Sequence, residues 1–241
     1  ALFKISFSDL FPEDYNSETV SSIFFSEYTT GHGSNKYIEI FNPTSSTIGL
    51  DNYALPTISN NTTTWGVYEF WNEFPEGATI ESGDVYLIAD PGADPAIIDQ
   101  ADYLFEHLGD GDDSFALVQG DQASYTVIDW LGNFDDRGPW DVAGTFNATE
   151  NSTLVRKDWV VSGNDDWNSS RGNNEDDSEW LVLPEDAFLN PDQVDDDWSF
   201  FEAHIINDNA SAVEQIENPG LRLHPADDSG DGLNEFTVDL K

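Results

Sequence analysis

The stretch Ile23–Leu55 decides the fold: it reads IFFSEY from Ile23, NKYIEIFNP from Asn35 and IGLDNYAL from Ile48. The three runs alternate apolar and polar residues, and they are separated by the turn-forming segments TTGHGS at 29–34 and NPTSS at 42–46. Short alternating runs bounded by Gly, Pro, Asn and Ser are typical of β-strands that bury one face. The stretch therefore predicts consecutive, half-buried antiparallel strands.

Several later segments continue this pattern in order. They are VYLIA at 85–89, GDGDDSFALV at 109–118, VIDWLG at 127–132, NSTLVRK at 151–157 and a closing Trp180. Together with the opening strands, they resemble the lamin tail domain over residues 22–190. This resemblance implies an immunoglobulin-like antiparallel β-sandwich, which serves as a scaffold for binding and assembly and has no active site of its own.

Additional segments flank the predicted domain. Residues 1–20 contain an extended run with Phe3, Ile5 and Phe7 on one face, followed by a polar linker. Residues 191–241 form a C-terminal extension whose last alternating run contains Phe236, Val238 and Leu240. We therefore expect an all-β fold with an extra strand at each end.

Two further segments complete the secondary-structure prediction. The apolar residues of 94–108 recur with helical spacing, which predicts one short helix. The Asn/Asp/Ser/Gly-rich segment 162–179 is predicted to be a loop.

The chain is strongly acidic. It has 241 residues, of which 48 are Asp or Glu and only 8 are Lys or Arg, giving a formal net charge of −40. Such a charge repels nucleic acid and anionic lipid, so neither is expected as a partner. Two compatible explanations remain, solubility in a salty environment and the binding of divalent cations.

The absence of certain residues bears on localisation. Cys and Met are both absent, so neither disulfides nor thiol chemistry are available. The sequence begins at Ala1, as a processed chain would, and no apolar run reaches the roughly 18 residues that span a membrane. We expect a secreted or cell-surface protein without membrane insertion.

No recognisable catalytic motif is present. The four His form no spaced ligand pair, and the chain lacks a Gly-x-Ser-x-Gly elbow, a P-loop and a dinucleotide fingerprint. We predict that the protein is not an enzyme. A remote alternative is the accessory portion of a secreted hydrolase or nuclease, because secreted nucleases sometimes carry a lamin tail domain.

The best candidate for chemistry is a C-terminal acidic loop. Its side-chain oxygens at Asp227, Ser229 and Asp231 are followed by the Leu233 carbonyl and by Glu235. Oxygen ligands at positions 1, 3 and 5 with Gly at position 6 suit calcium, although no Glu occupies position 12 as an EF-hand requires. Calcium and a simple acidic turn both remain open.

A second acidic turn offers Asp110, Asp112 and Asp113. Calcium is again possible there, but the resemblance places the same turn at a strand entry, where it can serve backbone geometry alone.

Three other groups of residues are noted. Arg156 is expected to pair with carboxylates, bidentately where geometry permits, because cations are scarce. The aromatic residues Trp65, Tyr68, Phe70 and Trp71 suit either a core strand, which we favour, or a platform for sugar rings. Weak N-glycosylation sequons occur at six positions: Asn60, Asn61, Asn147, Asn151, Asn168 and Asn209.

Two binding functions compete. The first is a self-assembling subunit of an extracellular filament or matrix, stabilised by calcium, in which the strand carrying Phe3, Ile5 and Phe7 pairs with another copy. The second is an adhesion or carbohydrate-binding accessory module that recognises an extracellular glycan. The oligomeric state and the position of the first strand discriminate between them.

Overall fold

The computed structural model describes residues 22–59, 67–134 and 136–187, together with the backbone of 222–225 and 236–239. Its strands are β1 Phe24–Thr30, β2 Lys36–Phe41, β3 Ile48–Gly49, β4 Tyr53–Ala54, β5 Thr57–Ile58, β6 Thr79–Ile80, β7 Val85–Ala89, β8 Tyr103–Leu104, β9 Ser114–Asp121, β10 Ser124–Leu131, β11 Ser152–Arg156, β12 Trp180–Pro184, β13 Arg222–Pro225 and β14 Phe236–Asp239. The helices are α1 Pro95–Ile98, α2 Trp167–Arg171 and a 3-10 turn at Leu50–Asn52. Among these residues, no helix is long and apolar enough to cross a membrane.

The strands form two main sheets. The larger is six-stranded in the order β12-β11-β1-β2-β7-β8, and all its pairs are antiparallel except β7–β8. The smaller has the order β10-β9-β4, with β5 also paired to β9. The predicted all-β, immunoglobulin-like fold is confirmed. Two further pairs, β3–β6 and β13–β14, stand outside these sheets.

One apolar core joins the two sheets. Phe25 and Ile40 from the larger sheet share a buried cluster with Phe115 and Leu117 from the smaller sheet. Each of these side chains is fully buried. Burial of a large apolar side chain contributes about 1.5–3 kcal/mol, so this alternating set supplies the main driving force for the sandwich.

The opening strands are placed as predicted, but they are not half-buried. Every residue of β1 is buried. The reason is a second apolar cluster that contains Phe24, Phe41 and Val155 and is separate from the core between the sheets. The polar residues Glu27 and Glu39 are buried as well, and they accept hydrogen bonds from the hydroxyls of Tyr37 and Ser26.

The predicted third strand is interrupted. The segment 48–55 divides into β3, the 3-10 turn and β4. The two strands belong to different sheets, since β3 pairs with β6 and β4 pairs with β9. The turn therefore carries the chain from one sheet to the other.

The predicted helix at 94–108 is wrong beyond its first turn. α1 covers only Pro95–Ile98, begun by the Asp94 carboxylate, which accepts the Ala96 N–H at 2.9 Å. Beyond the helix, the Asp102 N–H donates to the Leu87 carbonyl, and the Leu87 N–H donates to the Asp102 carboxylate. The strand β8 then pairs with the edge of β7. Backbone pairing with an open sheet edge thus overrides the helical spacing of the apolar residues.

The prediction of a loop at 162–179 is wrong in part, because the segment contains a second helix, α2. The Asp166 side chain accepts the Asn168 N–H at 3.0 Å, as an N-cap does, and Gly172 follows with φ 63°.

Several predicted features fall wholly or partly outside the described residues. They include the N-terminal strand, most of the extension 191–241 and the boundaries of the three predicted regions. The final strand is confirmed at the backbone level, because Phe236–Asp239 forms β14 and pairs with β13.

Candidate functional site

Arg156 is at the centre of a buried ion cluster. Its Nη2 atom lies 3.1 Å from Asp129 Oδ1 and 3.0 Å from Glu179 Oε2. Both Asp129 and Arg156 are fully buried. The predicted pairing of Arg156 with carboxylates is confirmed, but it is not bidentate, since one nitrogen contacts both acids. We call these three residues the Arg156 cluster.

Asp129 connects four parts of the chain. Besides its ion pair with Arg156, its carboxylate accepts hydrogen bonds from the backbone N–H groups of Phe25 at 2.9 Å, Trp130 at 3.0 Å and Asn164 at 3.0 Å. Burial raises the pKa of the Asp129 carboxyl, while Arg156 and the N–H groups of Asn164 and Phe25 oppose the shift. The side chain thus links β10, β1, β11 and the loop before α2.

Aromatic rings enclose the guanidinium. Arg156 Cζ lies 4.3 Å from the ring centroid of Trp180 and 5.8 Å from that of Phe24. Trp180 in turn contacts Trp167, and its Nε1 donates to Ser170 Oγ at 2.8 Å. A cation held between rings and shielded from water has a structural role, because no reactant can reach it.

Sequence reasoning identified Arg156 but missed Asp129 and Glu179. A usable signal was present, since Asp129 interrupts the otherwise apolar run VIDWL at 127–131. A charged residue inside such a run is rarely fully buried unless it is paired.

The acidic turn contains Asp110, Asp112 and Asp113 and has a different character. Asp110 pairs with Lys36, and Asp112 pairs with Arg137. Burial raises the pKa of Asp113 to about 6, and the neighbouring Asp112 adds to the shift. The three predicted ligands thus lie in one turn, but two of them already form ion pairs, Asp110 with Lys36 and Asp112 with Arg137.

No group of three or more His, Asp or Glu with metal-binding geometry is found within the part of the chain that the structure describes. The C-terminal loop with Asp227, Ser229, Asp231, Leu233 and Glu235 lies outside that part. Calcium binding at either loop stays a prediction.

The aromatic segment belongs mainly to the core. Tyr68 is buried and stacks on Trp130 with ring centroids 6.0 Å apart. Trp71 is half-buried beside Tyr125, at 5.2 Å between centroids, whereas Phe70 is 53% exposed. Trp65 lies outside the described residues. The core interpretation is therefore confirmed for Tyr68 but not for Phe70.

Within the part of the chain that the structure describes, β12 is an open edge of the larger sheet. Among the described strands, β12 pairs only with β11. Lys157 N–H donates to the Glu179 carbonyl at 2.8 Å, and the alternation of antiparallel ladders then directs the N–H and C=O of Val182 away from β11. The edge ends at Pro184, which is followed by Glu185 and Asp186. The predicted assembly residues Phe3, Ile5 and Phe7 are not among the described residues.

A comparison with protein families agrees with this architecture. A family model described as Lamin Tail Domain matches residues 16–135. The chain belongs to the lamin tail domain family. This is an immunoglobulin-like structural domain family that is not typically enzymatic. A search of curated proteins gives no match.

The residues that match the lamin tail domain model end at 135, before two strands of the larger sheet, β11 and β12. β11 pairs with the central strand β1, and β12 continues beyond it. Arg156 lies in β11 and its partner Glu179 directly precedes β12, so the folded unit extends past the matched residues to at least Pro184.

Proposed function

We propose that this lamin tail domain protein is an extracellular, non-enzymatic structural subunit that assembles with other copies of itself by strand exchange into a filament or matrix. The observation that carries the proposal is the open edge at β12, where Val182 directs its backbone groups outward. An open edge is a template for pairing with another strand.

The side chains of β12 suit an added strand. Trp180 belongs to the core between the sheets and Val182 packs against it, whereas Leu183 belongs to the second apolar cluster. A strand placed beside β12 would extend apolar surface on both faces of the sheet. Pairing by main-chain hydrogen bonds gives direction and register to such a contact.

The proposed donor is the N-terminal run Leu2–Phe7 of a neighbouring copy. Phe3, Ile5 and Phe7 would supply one apolar face, and Lys4 is one of only eight basic residues in the chain. Glu185 follows the acceptor edge directly, so a cationic donor complements it in charge.

Calcium is proposed as a stabiliser of the assembly. Carboxylates, hydroxyls and carbonyls are the oxygen ligands that calcium prefers, and the C-terminal loop offers all three types. A structure determined in calcium, with only water between Asp227, Ser229 and Asp231, would refute this part while leaving strand exchange untouched.

A second candidate function is a glycan-binding accessory module. It is favoured by the half-buried pair Trp71 and Tyr125 with the exposed Phe70 nearby in sequence. Aromatic rings stack on sugar faces, so this surface would bind an extracellular glycan as a monomer.

The test uses two matched substitutions in the full chain. Ile5→Lys places a charge on the proposed apolar face of the donor, whereas Ser6→Lys places the same charge on the opposite face. We expect Ile5→Lys, like deletion of residues 1–8, to give a folded monomer, with Ser6→Lys still assembling, as measured by sedimentation velocity. Unchanged assembly of Ile5→Lys would contradict strand donation and would favour the glycan-binding module.

A further inference from the structure

Three N-glycosylation sequons lie within the described residues. They begin at Asn147, Asn151 and Asn168, and their hydroxyl residues are Thr149, Thr153 and Ser170. Asn151 and Asn168 are exposed, and Asn147 is half-buried. A sequon requires both the Asn amide and the hydroxyl residue two positions later, so the accessibility of that hydroxyl matters as much as that of the amide.

The hydroxyl of Thr149 is fully engaged inside the fold. Its Oγ1 accepts the N–H of Trp140 at 2.9 Å and donates to the carbonyl of Gly111 at 2.7 Å. The residue is only 3% exposed. Exposing this hydroxyl would break both hydrogen bonds.

The hydroxyl of Thr153 is also inaccessible. Thr153 lies in β11, is fully buried, and its Oγ1 is 2.6 Å from Thr29 Oγ1 on the central strand β1. Exposing the hydroxyl would require β11 to separate from β1, which would open the larger sheet.

The third hydroxyl, that of Ser170, supports the packing around the Arg156 cluster. Ser170 is fully buried in α2, and its Oγ accepts the Nε1–H of Trp180 at 2.8 Å. Trp180 is the ring that stacks on Arg156. Withdrawing Ser170 would leave the buried indole N–H of Trp180 without its acceptor, which is unfavourable.

All three sequons thus have the same arrangement: an Asn at or near the surface and a hydroxyl locked into the fold. We propose that Asn147, Asn151 and Asn168 are N-glycosylation acceptors only while the chain is unfolded, and that the folded domain is closed to the transferase at all three. The inference is independent of assembly at β12.

The chemistry of the transfer is the ordinary one for Asn. The amide Nδ2 forms a bond to C1 of the first sugar, the C1–O bond to a lipid pyrophosphate breaks, and the lipid pyrophosphate leaves while the amide loses a proton. In the folded domain Asn151 and Asn168 are exposed, so a sugar attached before folding would point into solvent.

The test compares two states of the full chain in one assay. A purified oligosaccharyltransferase with a lipid pyrophosphate-linked donor is added to the folded protein, and to the same protein unfolded in urea. The urea concentration is one at which a control acceptor peptide is still modified. Site occupancy is measured by mass spectrometry of the proteolytic fragments. The Thr153→Val variant serves as the control for sequon-specific transfer to Asn151.

We expect occupancy in the folded protein to be at least tenfold lower than in the unfolded chain at each of the three sites. Thr153→Val should abolish modification of Asn151 in urea. Equal occupancy at any of the three in the folded protein would overturn the proposal for that site, and so would failure of the unfolded chain to accept a glycan there.

Discussion

The Arg156 cluster and the acidic turn at 110–113 both pair scarce cations with carboxylates, but in opposite surroundings. The cluster is buried: aromatic rings enclose Arg156, and Asp129 accepts hydrogen bonds from three backbone N–H groups. The turn is half-buried and crowds three like charges against Lys36 and Arg137. From this difference we expect that, in a chain with a net charge of −40, burial and not pairing decides which ionised side chains matter most for the stability of the fold.

The largest effect should follow removal of the acid from the buried cluster. Asp129→Ala leaves Arg156 without one counter-ion and leaves three backbone N–H groups without their acceptor. We expect the free energy of unfolding to fall by about 3–5 kcal/mol, the range for breaking a buried ion pair. Urea unfolding measured at pH 7 provides the value.

A matched surface variant serves as the control for that measurement. Asp136→Ala removes an exposed carboxylate, and its effect should stay within about 0.5 kcal/mol. Equal effects of the two substitutions would remove the distinction between buried and exposed acids.

The second-largest effect should be that of salt concentration on stability, which we expect to differ between the two regions. Exposed carboxylates repel one another, and the screening length falls from about 30 Å at 0.01 M salt to about 10 Å at 0.1 M. We expect the melting temperature to be several degrees higher in about 0.5 M salt than in low salt. The destabilisation by Asp129→Ala should not change with salt, because its partners are shielded from solvent. A melting temperature that is flat across this range would refute the role given to surface repulsion.

The pH dependence of the acidic turn should be smaller. Asp113 has a pKa of about 6 in the fold, above its ordinary value, so the folded state holds a proton that the unfolded state has lost between about pH 4 and 6. Its contribution to stability is therefore present at pH 4 and is lost as pH rises to 6. With solvent screening of this half-exposed group, we expect Asp113→Asn to reduce the difference in unfolding free energy between pH 4 and 6 by about 1 kcal/mol. The same pH profile in Asp113→Asn and the parent would contradict this assignment.

The smallest effect should come from the exposed pair in the turn. Arg137→Gln removes the partner of Asp112, and both side chains are partly exposed. We expect a loss of about 0.2–1 kcal/mol in low salt, falling toward zero in 0.5 M salt. A loss comparable with that of Asp129→Ala would show that the turn is as structurally important as the buried cluster.

The sequence predicted those parts of the fold whose signal is local. β1 and β2 are short runs rich in aromatic and β-branched residues and are bounded by turns, so their positions follow from residues 23–43 alone. The family resemblance rests on the same residues and on the later runs. The helix at 94–108 failed because pairing of β8 with β7 depends on residues about fifteen positions apart, which local periodicity does not register.

The candidate site was predicted only in part. Arg156 was expected to meet carboxylates, but its partners Asp129 and Glu179 come from distant positions in the chain. The prediction of half-buried strands was wrong for β1, and Glu27 in β1 and Glu39 in β2 are both buried and accept hydroxyl hydrogen bonds. Tertiary packing decides these points, and a single sequence does not show it.

The most direct test of the proposed function concerns one N–H group at the open edge. Val182→Pro removes the outward-pointing N–H of β12, whereas Val182→Thr keeps it with a similar side-chain shape. In sedimentation velocity at high protein concentration, we expect the parent and Val182→Thr to form the same large assemblies and Val182→Pro to sediment as a folded monomer. Assembly of Val182→Pro indistinguishable from the parent, or a parent protein that is itself monomeric, would contradict strand exchange at β12.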